Sequence, residues 1–176
     1  MPHLPFKIST LIFIKNKDGQ LLLIHRKKEP NLGCWSPIGG KLEMPIGESP
    51  YECAVRETYE ETNFCITEKD LHLFAMIAEK SYASTGHWLL FLYQCQRPIE
   101  KLPPAIEEGE FSFFPLDKIN SINIPQTDRK IIWPIYQKYR DNFISLRIDC
   151  QDTNELKFTL EEAQGLKPDS VVSFYD

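Results

Sequence analysis

Short apolar runs separated by turn signals dominate the first part of the chain. Residues 8–14 and 21–24 are apolar and rich in β-branched side chains, and the segment from Asn16 to Gly19 between them has turn residues. Such a pattern predicts a β-hairpin. Further strand patterns cover 71–78, 87–94 and 111–114.

A helix is predicted to begin at Pro50. The segment from Ser49 to Glu52 has the form of a capping box, with proline at the first helical position. The helix should end near Thr62, because Asn63 can adopt the left-handed conformation that follows a last helical turn. We expect a helix of roughly thirteen residues.

Apolar residues at helical spacing return between Asp128 and Tyr139 and predict a second helix. Pro134 lies inside it and should kink or split it. Beyond Asp141, two runs of alternating apolar and polar residues are separated by a polar segment from Gln151 to Asn154. We therefore predict a main domain over 1–140 and a C-terminal β-hairpin extension over 141–176.

Three glutamates of the first predicted helix share one side. Glu57, Glu60 and Glu61 are three and four residues apart and fall within an arc of about 100°. Val55, Thr58, Tyr59 and Thr62 fall on the opposite side, which we expect to be buried. A solvated acidic face is the ordinary explanation of such a cluster.

Neighbouring residues favour a metal site over that explanation. Two glycines, Gly39 and Gly40, break a short strand pattern before the helix, which indicates a close approach of the backbone. Glu48 precedes the helix, and Arg56 lies four residues before Glu60, where it can hold that carboxylate. Carboxylate oxygens fixed in this way suit Mg²⁺, which keeps waters and substrate phosphates as further ligands.

Composition and charge narrow the functional class. The 176 residues are 42% hydrophobic and 26% charged, which predicts one globular domain with an appendage. Five cysteines without a CxxC pair and the lack of a secretory signal pattern favour a reducing cytoplasm. The apolar runs are too short to span a membrane. A net charge of −5 with scattered basic residues argues against duplex nucleic acid as a partner.

The segment from Gly39 to Phe64 resembles the Nudix box. That motif reads glycine, five residues, glutamate, seven residues, then Arg-Glu-aliphatic-x-Glu-Glu-x-Gly-aliphatic, and the seven residues from Ser49 to Val55 match its spacing. A looser resemblance reaches from the first strand to about Tyr139. It implies an α/β fold, a Nudix-type α-β-α sandwich with a mixed central sheet, here with the C-terminal hairpin added.

This sequence departs from the motif without losing a carboxylate. Seven residues instead of five separate Gly40 from Glu48, which indicates a two-residue insertion around Pro45 and Ile46. Thr58 replaces an aliphatic residue, and Asn63 replaces the glycine. Ile38 stands where the family usually has proline. The altered loop is expected to reshape the turn that faces the metal.

The resemblance also implies roles for single residues. Glu57, Glu60 and Glu61 would bind Mg²⁺ or Mn²⁺ together with a backbone carbonyl of Gly39 or Gly40, and Arg56 would orient a glutamate. The general base would lie in the box or in a later loop, which contains three glutamates of which we favour Glu108: Glu107, Glu108 and Glu110.

Substrate contacts are less specific. Arg26 and Lys41 could bind phosphates, although each could equally be a solvated surface charge. Trp35 could stack on a base, although a large aromatic residue beside a glycine turn is more often part of the core.

The expected reaction is hydrolysis of the pyrophosphate linkage of a nucleoside diphosphate derivative. Resemblance to the MutT-type group favours a nucleoside triphosphate, converted to the monophosphate and pyrophosphate. A nucleotide sugar such as ADP-ribose is the alternative, favoured if the C-terminal hairpin forms a homodimer interface that closes over the site. A third possibility, of another class, is a nucleotide sensor without turnover.

Overall fold

The computed structural model describes residues 5–29, 31–82, 86–152 and 156–165, which contain eight strands and two α-helices. The strands are β1 (Phe6–Phe13), β2 (Leu21–Arg26), β3 (Trp35–Ser36), β4 (Leu71–Tyr82), β5 (Gly86–Cys95), β6 (Gly109–Phe114), β7 (Phe143–Asp149) and β8 (Lys157–Gln164). The helices are α1 (Pro50–Thr62) and α2 (Trp133–Tyr139).

The strands form two sheets. A five-stranded mixed sheet has the order β1-β5-β4-β7-β8, in which β1 pairs with β5 and β4 with β7 in parallel. A three-stranded antiparallel sheet has the order β3-β2-β6. The mixed central sheet predicted from the resemblance is therefore confirmed.

The predicted hairpin of β1 and β2 is present beside its turn, where the Leu22 amide donates to the Ile14 carbonyl at 2.9 Å, but the two strands do not pair along their length. The Asn16 carbonyl accepts a hydrogen bond from the Gly19 amide at 3.1 Å, but beyond the bridge of Lys15 with Leu21 the two strands enter different sheets. β1 has other partners on both edges. β5 lies on one edge, and on the other the Ile12 amide donates to the Ile38 carbonyl at 2.8 Å.

Two hydrophobic cores lie on opposite faces of this β-structure. Side chains of a strand alternate between faces, so that Ile12 belongs to one core and Phe13 to the other. α1 contributes Ala54 to the first core. α2 contributes Trp133 and Tyr136 to the second, where Tyr136 stacks on Phe13 with ring centroids 4.4 Å apart. This arrangement is the predicted α-β-α sandwich.

α1 begins and ends at the predicted residues. The Ser49 hydroxyl accepts from the Glu52 amide, and the Glu52 carboxylate accepts from the Ser49 amide. Asn63 ends the helix with φ 56°. The predicted buried face is correct for Thr58 and wrong for Tyr59, which is 53% exposed.

The buried side of α1 differs from the predicted one and is centred on small side chains, because these allow the closest approach to the sheet. Cys53 and Ala54 are fully buried there. The hydroxyl of Thr58 donates to the Ala54 carbonyl, which satisfies this buried group within the helix.

The second helix is split, as Pro134 predicts. One π-helical turn, Asp128–Ile132, precedes α2, and Pro134 lies in the first positions of α2. Proline has no amide hydrogen, so a continuous ladder of helical hydrogen bonds cannot pass through it.

The C-terminal hairpin of β7 and β8 is confirmed and continues the central sheet. β7 pairs with β4 from Ala75↔Ile144 to Lys80↔Asp149, and β8 pairs antiparallel with β7. Residues 153–155 and 166–176 of the predicted extension lie outside the described residues. The boundary at residue 140 and a homodimer remain predictions.

Two further findings concern the cysteines and the helices. All five cysteines are free thiols. Within the described ranges, no helix combines the length and apolar character that a membrane span requires.

Candidate functional site

The two glycines lie against β1 in a place that no side chain could share. Gly39 has φ 150°, and a Cβ atom there would lie 2.0 Å from the carbonyl oxygen of Thr10. The Gly40 carbonyl accepts hydrogen bonds from the Ser9 hydroxyl at 2.8 Å and the Thr10 amide at 2.9 Å. The segment is thereby fixed, and the Gly39 amide donates to Oε1 of Glu61 at 3.2 Å.

Arg56 is the centre of a group of carboxylates that we call the Arg56 cluster, consisting of Glu48, Glu57 and Glu60 around the guanidinium. Its Nε and Nη2 donate to the two carboxylate oxygens of Glu48 at 2.7 and 3.0 Å. Nη1 donates to Glu57 at 2.8 Å and to Glu60 at 3.0 Å. One cation therefore holds three carboxylates in place.

Glu57 and Glu61 are acidic groups that the fold removes from water. Burial raises the pKa of Glu61 to about 8, opposed by the Gly39 amide and increased by the charge of Glu57. Burial also raises the pKa of Glu57, and Arg56 opposes this rise. The site has more buried negative charge than Arg56 alone offsets, which is a setting that an additional cation would stabilise.

The donor set fits a hard cation in its chemistry. Carboxylate oxygens of α1 lie beside the backbone carbonyls of the glycine segment, and oxygen is the ligand that Mg²⁺ prefers. Three donors already engage the Gly40 carbonyl, namely the Ser9 hydroxyl, the Thr10 amide and the Cys53 thiol. Among the residues described, no three His, Cys, Asp or Glu side chains converge as a ready metal cluster. Waters and substrate phosphates usually complete the shell of Mg²⁺.

The predicted insertion forms an outward turn and leaves Glu48 in place. Met44–Ile46 is a single 3₁₀ turn that Gly47 closes with φ 71°. Met44 and Ile46 are exposed at 59% and 73%. The carboxylate of Glu48 accepts from the Glu43 amide at 2.7 Å, which closes the base of the turn.

Of the three glutamates in the later loop, Glu108 is the one whose charge acts on the pKa of Glu61. Glu107 instead forms an ion pair with Lys28 at 2.6 Å, and its side chain is 82% exposed. Glu110 lies 3.5 Å from Lys27. The fold thus brings Glu108 towards the helix carboxylates.

A cleft of about 170 Å³ borders the glycine segment. Its lining includes Gly39, Gly40, Arg26 and Lys41, so both predicted phosphate-binding residues border the same cleft as the glycine segment. The charge of Arg26 also acts on Glu61, whose pKa it lowers.

Trp35 does not line this cleft, and its stacking role stays a prediction. Its ring packs against His25 and Phe114, each with ring centroids 4.8 Å apart. The indole in the cleft is that of Trp88, with Nζ of Lys41 5.9 Å from its ring centroid.

Sequence reasoning missed four cleft residues that lie outside the motif: Glu79, Tyr82, Trp88 and Asp128. A signal for one of them was present. In β4, Ala75 and Ile77 alternate as buried residues, and Glu79 continues the same phase. A carboxylate at a buried position of a strand is uncommon unless it has a partner. The predicted strand, however, ended at residue 78.

Comparison with known proteins gives a family match and a relative. The family model described as NUDIX domain matches residues 5–138. An ADP-ribose pyrophosphatase of Methanocaldococcus jannaschii is 30% identical over 106 residues, which are 60% of this chain and 60% of that protein. The match thus spans less than two thirds of that relative.

Solved structures show the same fold. A mutator MutT protein of Bacillus halodurans has a TM-score of 0.68 at 21% identity, over 88% of this chain and 97% of that chain. The NUDIX domain of Shewanella oneidensis NrtR, in complex with ADP ribose, has a TM-score of 0.59 at 16% identity, over 75% and 86%. Identities this low show likeness of fold alone.

Proposed function

The chain belongs to the NUDIX domain family, and from that premise we propose that it hydrolyses the pyrophosphate linkage of a nucleoside diphosphate derivative. One observation carries the proposal. Carboxylates that the fold partly desolvates and Arg56 holds in place lie beside a glycine segment and a cleft with two basic side chains, Arg26 and Lys41.

We propose that Glu57, Glu60 and Glu61 hold a divalent cation, Mg²⁺ or Mn²⁺. The Gly39 carbonyl is the better backbone candidate, because three hydrogen bonds already engage that of Gly40. Such a cation supplies charge neutralisation at phosphate oxygens and a lower pKa for bound water.

The chain's own residues have complementary tasks in this proposal. Arg26 and Lys41 bind phosphate oxygens and align the linkage. Glu108 accepts a proton from the attacking water while the water oxygen bonds to one phosphorus and the bridging P–O bond breaks, with the electron pair leaving on the departing phosphate. Arg56 does not touch the substrate and acts by holding Glu57 and Glu60.

A nucleoside triphosphate, cleaved to the monophosphate and pyrophosphate, remains our preferred substrate. The alternative is ADP-ribose, which the name of the M. jannaschii relative favours. That alternative is favoured if the C-terminal hairpin forms a dimer interface. β7 pairs with β4 of the same chain and β8 forms the outer edge of the sheet, so a dimer through this hairpin stays a prediction.

A turnover assay with Mg²⁺ over nucleoside triphosphates and nucleotide sugars tests the proposal. Pyrophosphate as product supports the triphosphate, and a sugar phosphate supports the alternative. Glu57→Gln should lower turnover roughly a hundredfold or more, because several kcal/mol of transition-state stabilisation depend on the cation. Glu100→Gln, an exposed carboxylate paired with Lys17, is the matched control and should retain the rate. Nucleotide binding without turnover of any substrate would favour a sensor.

A further inference from the structure

β8 forms one outer edge of the five-stranded sheet. In the described part of the chain, it pairs with β7 alone. An edge strand presents backbone donors and acceptors on its open side, and these can pair with another strand. Leu160 lies on this strand and is 39% exposed. The edge of β8 is therefore a surface to which a further strand could be added.

One face of β8 is apolar. Phe158 lies opposite Ile148, and Leu160 lies opposite Leu146. Both β7 residues are buried in the core, against which Phe158 packs as a partly buried side chain. The apolar row of β7 thus continues onto β8 and ends at its open edge, where Leu160 is exposed.

The other face of β8 carries alternating charges. A hydrogen bond from Nζ of Lys80 at 2.9 Å lowers the pKa of the Asp149 carboxyl, and the charge of Lys157, which lies opposite Asp149, lowers it further. Nε of Arg147 lies 3.9 Å from the carboxylate of Glu161. Opposite charges therefore alternate from β4 to β8, and the rows end on Lys157 and Glu161 at the open edge.

The segment from Lys157 to Glu161 is complementary to its own reverse. When two identical strands pair antiparallel about a twofold axis, residues at equal distances from the axis lie opposite each other. With the axis at Thr159, Lys157 lies opposite Glu161 of a second copy. Phe158 lies opposite Leu160, and the two copies of Thr159 lie opposite each other. Opposite charges, apolar pairs with an aromatic ring and paired threonines are cross-strand pairs that stabilise a sheet.

Neighbouring registers lack this match. An axis at Leu160 would place Phe158 opposite Glu162, and it would place Lys157 opposite Ala163. An axis at Phe158 would likewise remove the acidic partner of Lys157. An axis between two residues would set opposite faces of the strand against each other. The side chains therefore favour the register with the matched pairs.

We propose that β8 pairs antiparallel with β8 of a second copy of this chain, with the twofold axis at Thr159. The two five-stranded sheets then form one continuous sheet. The apolar row continues from Phe158 to Leu160 of the second copy. The charged row continues from Lys157 to Glu161 of the second copy. Glu161 is also the additional residue of a bulge, so the matched stretch is short and the association is reversible.

The interface is separate from the cleft. Glu79, which lines the cleft, lies on β4, and β7 separates β4 from β8. The pairing of β8 therefore does not depend on the proposed function, and it leaves open the choice between the two substrates.

Sedimentation equilibrium of the full chain at several concentrations tests the interface. The wild type should associate to a dimer as its concentration rises. Lys157→Glu and Glu161→Lys each place like charges opposite each other twice in a dimer, so each should weaken association roughly tenfold or more. Lys101→Glu replaces an exposed lysine outside both sheets and changes the net charge as Lys157→Glu does. This control should associate like the wild type.

A mixture of the Lys157→Glu and Glu161→Lys variants gives the sharpest result. In a mixed dimer, one cross-strand pair has its charges exchanged and the other is unchanged, so both pairs are again opposite in sign. The mixture should therefore dimerise like the wild type, although neither variant does so alone. The double variant Lys157→Glu/Glu161→Lys should recover in the same way. Circular dichroism identifies the variants that fold normally, and a folding defect would not be repaired by mixing.

Cross-linking tests the register. Thr159→Cys places two thiols opposite each other across the axis, with Cβ atoms about 4.5–5.5 Å apart. Ala163→Cys places them far from each other. Oxidation by diamide should therefore give more covalent dimer with Thr159→Cys than with Ala163→Cys or with the wild type, whose five free cysteines set the background.

Four results would overturn the inference: a wild type that stays monomeric up to near-millimolar concentration, a dimer that both single variants leave unchanged, a mixture that stays monomeric, or cross-linking at position 159 that does not exceed that at position 163. Failure of the proposed function looks different. A dimer with this register that hydrolyses no nucleotide would keep the interface and exclude the hydrolase. Hydrolysis by a protein that is monomeric throughout would exclude the interface and keep the hydrolase.

Discussion

The Arg56 cluster and the cleft pair, as we call Glu79 and Asp128 of the cleft, are both acidic, yet they differ in what offsets their charge. In the Arg56 cluster, one guanidinium donates to three carboxylates within 3.0 Å. No salt bridge or hydrogen bond from a described cation reaches Glu79, whose pKa burial raises to about 8. The carboxylates of the first group are hydrogen-bonded to a cation, whereas burial raises the pKa of both carboxyls of the second.

The comparison shows that the setting of a carboxyl, and not its residue type, decides how readily it ionises. A carboxylate fixed by arginine retains its charge and can bind a cation. A buried carboxyl beside a second carboxyl ionises less readily, because burial and a neighbouring like charge both disfavour its charged form. Four predictions test whether the two groups differ in this way in what offsets their charge.

The largest effect is expected from deletion of residues 142–176. β7 covers the edge of the strand that carries Glu79, and Leu146 and Ile148 of β7 are buried in the core. Exposure of that edge and core should abolish the folded state or cause aggregation. Circular dichroism and sedimentation measure the outcome. A truncated protein that melts like the full chain would show that the extension is dispensable.

Arg56→Met should lower the free energy of unfolding by roughly 2–4 kcal/mol in the metal-free protein. Removal of the cation leaves the carboxylate of Glu48, which is 5% exposed, without its partner. Mg²⁺ should restore part of the loss in melting experiments, because it can replace the missing charge. Arg129→Met, which removes an arginine bonded to carbonyls alone, serves as a comparison. If the Arg56 variant is as stable as the wild type, Arg56 does not stabilise the folded protein by pairing with these carboxylates.

The cleft pair predicts a pH dependence of stability. Burial raises the pKa of Glu79 from 4.5 to about 8 and that of Asp128 from 3.8 to about 7. Between the unfolded and folded values, the folded protein holds protons that the unfolded chain releases, so stability falls as pH rises through that window. Further titratable groups of the described residues around the pair are Tyr82, Cys150, Arg26 and Lys41.

Denaturant unfolding of the metal-free protein at pH 5 and pH 8.5 measures this dependence. Glu79→Gln should flatten the decline by roughly 1–3 kcal/mol, whereas Glu100→Gln should leave it unchanged. An identical slope in wild type and Glu79→Gln would mean that Glu79 is not held protonated.

Glu60→Gln should have the smallest effect on folding. Repulsion from Glu57 and attraction to Arg56 act on this carboxylate in opposite directions, and its side chain is 55% exposed. The metal-free stability should therefore change by only a few tenths of a kcal/mol. Turnover with Mg²⁺ should nevertheless fall strongly. A variant that loses stability and turnover in proportion would indicate a structural role only.

Local chemistry predicted the parts of the fold that depend on neighbours in sequence. The capping box of Ser49 and Glu52 set the start of α1, and Pro134 set the split of the last helix. The pairing of β1 could not be predicted in this way, because its partners are β5 and the Ile38 backbone, both distant in sequence.

The same distinction applies to the site. Arg56, Glu57, Glu60 and Glu61 could be predicted as candidates because a motif fixes their spacing, and the fold gathers them on one side of α1. Glu79 and Asp128 meet through a bulge and a π turn, neither of which has a spacing rule. Trp35 is near the glycines in sequence but does not line the cleft.

The parallel pairing of β1 with β5 also constrains how the chain reaches its fold. Phe6 pairs with His87, so β1 leaves the ribosome long before its partner. Until then its apolar face is without a permanent neighbour, whereas β4 and β5 can form a local antiparallel unit as soon as both have emerged. Pairings so distant in sequence form late and slowly. Closure of the sheet at β1, and with it the seating of the glycine segment, should therefore be the last step in folding, and activity should lag behind secondary structure during refolding.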